Sequence, residues 1–299
     1  MKQQIKSSLI LLLTATIWGV AFVAQSVGME YIGPFTFNAI RCVLGGLVLI
    51  PVILVLKKKK ETGAENQEKE DKKTLWAGGI ACGVILCIAS NLQQFGIMEA
   101  SVGKSGFFTA LYIVMIPVIG IFIGKRLGIK LWFCVALAVV GMYLLCMKDG
   151  SFTIERADIM LLLCALAFSF HILVVDYFSP KVDGVKMSCI QFFVCGVLSA
   201  VGMLFTETPD ISNIQAAWLP LLYAGLLSCG VGYTLQIVGQ KGINPVIASL
   251  IMSLESVISA LAGWVILGQV LSPKEILGCV LMFVAIIITQ IPIGNKKTD

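Results

Sequence analysis

One carboxylate and one guanidinium stand out because they lie inside apolar stretches. Glu255 sits in ASLIMSLESVISALAG, where serines are its only local polar partners, and Arg41 sits in TFNAIRCVLGG. An ionisable group at membrane depth is expensive and is kept for a cavity, a partner or a transported ion. A carboxylate there can bind a cation, pair with a substrate amine or carry a proton. Arg41 is its natural counter-charge, because its long side chain reaches well beyond its own turn. We therefore expect Arg41 and Glu255 to interact directly, through water or through substrate. The plainer alternatives are a fixed structural ion pair and, for Arg41, a packing anchor.

Polar and aromatic side chains recur at helical spacing in other stretches. Trp18 and Gln25 lie two turns apart on one side, Asn91 and Gln94 share a face, and Tyr233 and Gln236 stand in the same relation. Together with Tyr112 they predict one wet cavity. Taken singly, each is equally well read as glue between helices. His171, the only histidine, is read as structural or as a gate or proton relay.

Other chemistries lack their residues. All ten cysteines fall in apolar stretches and no CxxC occurs, so they read as small packing residues, with no disulfide frame and no metal site. Gly103-Lys104-Ser105 imitates the end of a phosphate loop, but position 98 is Met where that loop needs Gly. There is no HExxH and no cysteine–histidine cluster. An enzyme and a cofactor are not expected.

The elements that must position these residues are ten apolar stretches, at 8–27, 35–56, 75–97, 102–123, 129–147, 157–175, 186–205, 217–239, 244–267 and 274–292. Each is about 20 residues, enough to cross a hydrocarbon core of about 30 Å as a helix. The chain is 58% apolar and 13% charged, against about 25% charged residues in soluble domains. Spanning strands would be about 10 residues long with alternating polarity, and none is seen. Glu255 falls roughly 16 Å into its helix, near the midplane. Residues 57–74 read as a polar, low-complexity loop and 206–216 as a shorter external one.

Positive charges separate onto alternate gaps. Lys2, Lys6, Lys57 to Lys60, Lys69, Lys72, Lys73, Lys125, Arg126, Lys130, Lys181, Lys186, Lys241, Lys296 and Lys297 fall on one side. Lys104, Lys148, Arg156 and Lys274 fall on the other, where Lys104 reads as greeting an anionic substrate or snorkelling to lipid head groups. Basic loops stay cytoplasmic, so both termini are expected inside. The net charge of +5 serves this topology and points to no nucleic-acid partner. The expected partners are the lipid bilayer, a small-molecule substrate and, as an option, protons; monomer and homodimer both stay open. The expected location is the plasma (inner) membrane of a prokaryote, as a multi-pass protein.

Two halves, 1–150 and 151–299, can be superposed. At an offset of 150, Trp18 meets Phe168 and Arg41 meets Gln191; after the long loop an offset of 144 pairs Gly124 with Gly268 and Lys130 with Lys274. Five helices per half is an odd number, so the second copy enters from the opposite side. The predicted fold class is an all-α polytopic membrane protein, ten transmembrane helices in a 5+5 inverted-topology repeat. Gly79-xxx-Gly83 and Gly120-xxx-Gly124 are expected to let helices pack closely.

At this point the chain resembles the EamA family, the ten-helix branch of the drug/metabolite transporter (DMT) superfamily. The resemblance rests on ATIWGVAFVAQ at 15–25, PFTFNAIRCVLGGLVL at 34–49, ASVGKSGFFTALYIVMIPVIG at 100–120 and INPVIASLIMSLESVISALAGWVILGQVLSP at 243–273. Ser256 and Gln269 stand where the family usually has Pro and Glu, which bears on how the ninth helix bends. The resemblance implies that helices 1, 3, 4, 6, 8 and 9 surround a central cavity. The expected function is a secondary, non-ATP transporter exporting small polar metabolites such as amino acids. A non-transporting receptor or subunit, and an intramembrane enzyme, are the alternatives.

Overall fold

Apolar runs of this length can satisfy their backbone groups in hydrocarbon only by coiling into helices. The computed structural model describes residues 2–62, 71–100, 102–122, 124, 128–146, 155–268 and 272–290, and among these there is no strand. The helices are α1 (Lys2–Gly28), α2 (Pro34–Thr62), α3 (Lys72–Glu99), α4 (Val102–Ala110), α5 (Tyr112–Phe122), α6 (Ile129–Cys146), α7 (Arg156–Phe178), α8 (Gly184–Thr206), α9 (Ile211–Ala216), α10 (Trp218–Leu222), α11 (Thr234–Gln240), α12 (Pro245–Met252), α13 (Glu255–Leu267) and α14 (Pro273–Gln290). A π-helical segment, Tyr223–Tyr233, joins α10 to α11. Among the described residues, and joining the interrupted pieces, eight helices are long and apolar enough to cross a membrane. The apolar helices α6 and α14 are 18 residues each.

Two loop expectations change. α2 continues through Thr62, so the lysine run belongs to a helix end, and Asp71 caps α3 by accepting from Lys73 N at 3.0 Å. Residues 206–216 hold α9, which starts where the Asp210 carboxylate accepts from Ser212 N and Oγ. Residues 63–70, Lys125, Arg126, Lys148, Gln269, Lys296 and Lys297 lie outside the described residues.

The two halves interdigitate. α2 packs on α8, α3 on α7 and α8, α6 on α14, and α1 on α13. Gly79 and Gly83 allow the α3–α8 approach: a Cβ would stand 2.5 Å from Ile190 and 2.6 Å from Val194. Gly124 differs from the expected packing role. It lies just beyond α5 with φ 79°, and Gly268 ends α13 with φ 68°, both left-handed turns that favour glycine. Polarity is inverted relative to a soluble protein: Leu9, Phe122, Phe133, Phe205 and Val265 face outward, while Thr14, Asn38, Arg41, Gln94, His171, Gln191 and Glu255 are buried.

Two helices break near their middles. Between α4 and α5 the ladder tightens at Leu111, whose N–H donates to Phe108 O at 3.2 Å. Between α12 and α13 the break falls at Ser253–Leu254, where no proline stands. Serines supply the competition instead: Ser249 Oγ donates to Val246 O at 2.9 Å and Ser253 Oγ to Leu250 O at 2.8 Å, drawing carbonyls off the helical ladder.

Candidate functional site

The breaks and the π segment converge on one cavity. Tyr112 is the first residue of α5, Glu255 the first of α13, and Tyr233 the last of the π segment. Close contact between α1 and α13 depends on Gly19, where a Cβ would stand 2.4 Å from Ile258 Cβ and 2.8 Å from Glu255 O. Trp18 and Gln25 of α1, Arg41 of α2, Gln93 of α3, Thr109 of α4, Tyr112, Phe168 of α7, Ser228, Tyr233, Gln236 of α11 and Glu255 line the space, with Ala21, Phe22 and Ile172. Arg41 adds the second span to the six that the resemblance implied. The volume open to the centre of a water molecule is about 30 Å³. That is room for water-sized molecules.

The opposite charges share the cavity without touching. The Tyr112 hydroxyl donates to Glu255 Oε1 at 3.0 Å, and Arg41 Nη1 donates to Gln25 Oε1 at 2.8 Å. No direct ion pair joins Arg41 to Glu255 among the described residues, so the direct form of the expected pair is corrected. The reason is visible: each charge is held by a neutral partner from another helix. Arg41 also lies over the Phe37 ring, 5.6 Å from its centroid, and its Nε is buried without a hydrogen-bond partner. Glu255 is 4% exposed and Arg41 2%, so bulk water does not screen them.

The aromatic wall is built from both halves. Trp18 Nε1 donates to Ser228 O at 3.3 Å, and its ring lies 4.6 Å from that of Tyr233. Gly232 has no side chain to hold the indole away. Gln93 Nε2 donates to Thr109 Oγ1 at 3.4 Å, and Gln236 Nε2 to Gln240 Oε1 at 3.4 Å.

Three predicted residues lie elsewhere. Asn91 accepts from Asn38 Nδ2 and donates to Cys87 O and Ser199 Oγ, tying α3 to α2 and α8. Gln94 Nε2 contacts Met29 Sδ at 3.3 Å. Neither lines the cavity, because successive helical residues turn by about 100° and the face that turns inward is that of Gln93. His171 stands behind the wall, its ring edge-on to Tyr233 at 6.0 Å and its Nε2 3.1 Å from Gln191 Oε1. Gln93, Thr109, Ser228 and Phe168 also line the cavity; Gln93 carried the signal of a polar residue inside an apolar stretch, and Phe168 its correspondence with Trp18. The nine cysteines whose side chains are described are free, and no group of metal-ligating side chains occurs among the described residues.

A helical bundle that is apolar outside and encloses a charged cavity has the build of an integral, multi-pass membrane transporter. The profile of the EamA-like transporter family matches residues 5–147 and again 155–291, and the chain belongs to this family. It is 27% identical to an uncharacterized transporter of Archaeoglobus fulgidus, over 94% of this chain and 84% of the relative. It is 24% identical to the uncharacterized transporter YwfM of Bacillus subtilis, over 97% and 96%. A solved crystal structure shares the fold, with a TM-score of 0.76 at 17% identity over 95% of this chain and 96% of that one.

Proposed function

We propose that this transporter exports small polar metabolites, amino acids or related compounds, by secondary, non-ATP transport. It crosses the plasma membrane ten times as two inverted five-helix repeats, 1–150 and 151–299, with both termini cytoplasmic. The halves rock about the cavity and expose it to each side in turn. One observation carries this reading: Glu255 and Arg41 face one buried cavity and are held apart by Tyr112 and Gln25. A substrate with an amine and a carboxylate would satisfy both charges at once. Trp18, Tyr233 and Phe168 would cover its apolar part. In the form described, the cavity is too small for such a molecule, so its walls must part for loading.

Purified protein in liposomes tests this. A metabolite screen should find a compound whose binding raises the melting temperature and which moves across the bilayer. Glu255→Gln should change the pH dependence of that movement. Unaltered transport at every pH would remove Glu255 from the mechanism.

A further inference from the structure

Lys104 was expected to face substrate or lipid, yet it makes two contacts with acids of another span. Its Nζ lies 2.8 Å from Glu155 Oε2 and 2.9 Å from Asp158 Oδ1. The contact joins the start of α4 to the start of α7, two helices that pack together and both reach the cavity, through Thr109 and through Phe168. At 1.5 Å per residue it lies roughly 7 Å from Thr109 along α4 and roughly 15 Å from Phe168 along α7.

The three charges are not equally free. The Asp158 side chain is 3% exposed, Lys104 23% and Glu155 58%. Asp158 is also fixed in place, because its Oδ2 accepts from Glu155 N at 2.9 Å. A buried carboxylate held in one orientation gives the ammonium a set docking point. The partly exposed ammonium can still leave for water, so the contact can break. The positions that the repeat offsets relate to these residues are Ile5, Ser8 and Ala248, none of them charged.

We propose that Lys104, Glu155 and Asp158 form a one-sided latch, which holds α4 against α7 and keeps the cavity shut toward the face where both helices begin. The repeat-related positions Ile5, Ser8 and Ala248 carry no charge, so the three latch residues are not doubled in the other half. The latch rests on the transporter reading given above, since it assumes a cavity that opens.

The test reads accessibility, not flux. A Ser228→Cys reporter is placed in the full chain with its native cysteines replaced, and folding is checked by size exclusion and melting. Sided vesicles are treated with a membrane-impermeant maleimide from each face in turn. Lys104→Met should speed labelling from the α4-start face about threefold to tenfold, with no gain from the other face. Asp158→Asn keeps an oxygen for Glu155 N and should do the same, whereas Lys104→Arg should keep the parental rate. Unchanged labelling in both Lys104→Met and Asp158→Asn, or equal acceleration from both faces, would overturn the latch. Labelling needs no substrate, so a failed liposome assay counts against the transport reading alone.

Discussion

The fourth and ninth apolar stretches have the same skeleton and opposite chemistry. α4–α5 breaks at Leu111 and α12–α13 at Ser253–Leu254, within two residues of the 144-residue offset that relates the halves. The glycines beyond α5 and α13, Gly124 and Gly268, are also 144 apart, and both take the left-handed turn. Yet the position that the offset relates to Leu111 holds the buried carboxylate of Glu255 in the other half. Earlier in each half, Trp18 is answered by Phe168 and Arg41 by Gln191. Trp18, Phe168 and Arg41 reach the cavity, while Gln191 is taken up by His171. Backbone geometry is therefore doubled and charge is not. In the transport cycle proposed above, the doubled parts are the two halves that move about the cavity, and the single parts give the site its direction.

The sharpest way to break this comparison is to give one half the residues of the other. Glu255→Leu, which copies Leu111, should cut flux in liposomes about a hundredfold or more, because it removes a buried charge and strands its partner. Adding Leu111→Glu to that variant should not restore flux; recovery would mean that either break can hold the acid. Arg41→Gln, which copies Gln191, should weaken substrate affinity about tenfold to a hundredfold in a thermal-shift titration, with the protein still folded. Trp18→Phe, which copies Phe168, loses the hydrogen bond to Ser228 O and part of the ring that packs on Tyr233, and should cost about fivefold in affinity. The smallest effects probe the shared skeleton. Gly124→Ala and Gly268→Ala should each destabilise by about 1 kcal/mol, read as similar losses in melting temperature. A large loss at one glycine and none at the other would show that the two turns are not equivalent.

Rare charges were legible in the sequence because their cost inside an apolar stretch marks them. Arg41 and Glu255 both line the cavity, as do Trp18, Gln25, Tyr112, Tyr233 and Gln236. What spacing could not give was rotation about a helix axis. Asn91 and Gln94 share a face, but which face of α3 turns inward is decided by α7 and α8, so Gln93 took the place assigned to them. The breaks were hidden for a similar reason. No proline stands at 256, and the serine hydroxyls that loosen α12 act through hydrogen bonds that a hydropathy pattern does not record. Lys104 and its acids are about fifty residues apart in the chain, so their meeting depends on the packing of α4 on α7.

The interrupted helices also bear on how the chain is made. α4 has 9 residues, α5 11, α12 8 and α13 13. At 1.5 Å per residue none approaches the roughly 30 Å of a hydrocarbon core. During synthesis each pair must enter the bilayer as one unbroken apolar segment, since a lone fragment is too short to stay there. At the second break the carbonyls of Val246 and Leu250 are taken up within the same segment, by the hydroxyls of Ser249 and Ser253. The carboxylate of Glu255 is thus inserted within an ordinary hydrophobic segment, and it finds Tyr112 only once the bundle has closed around it.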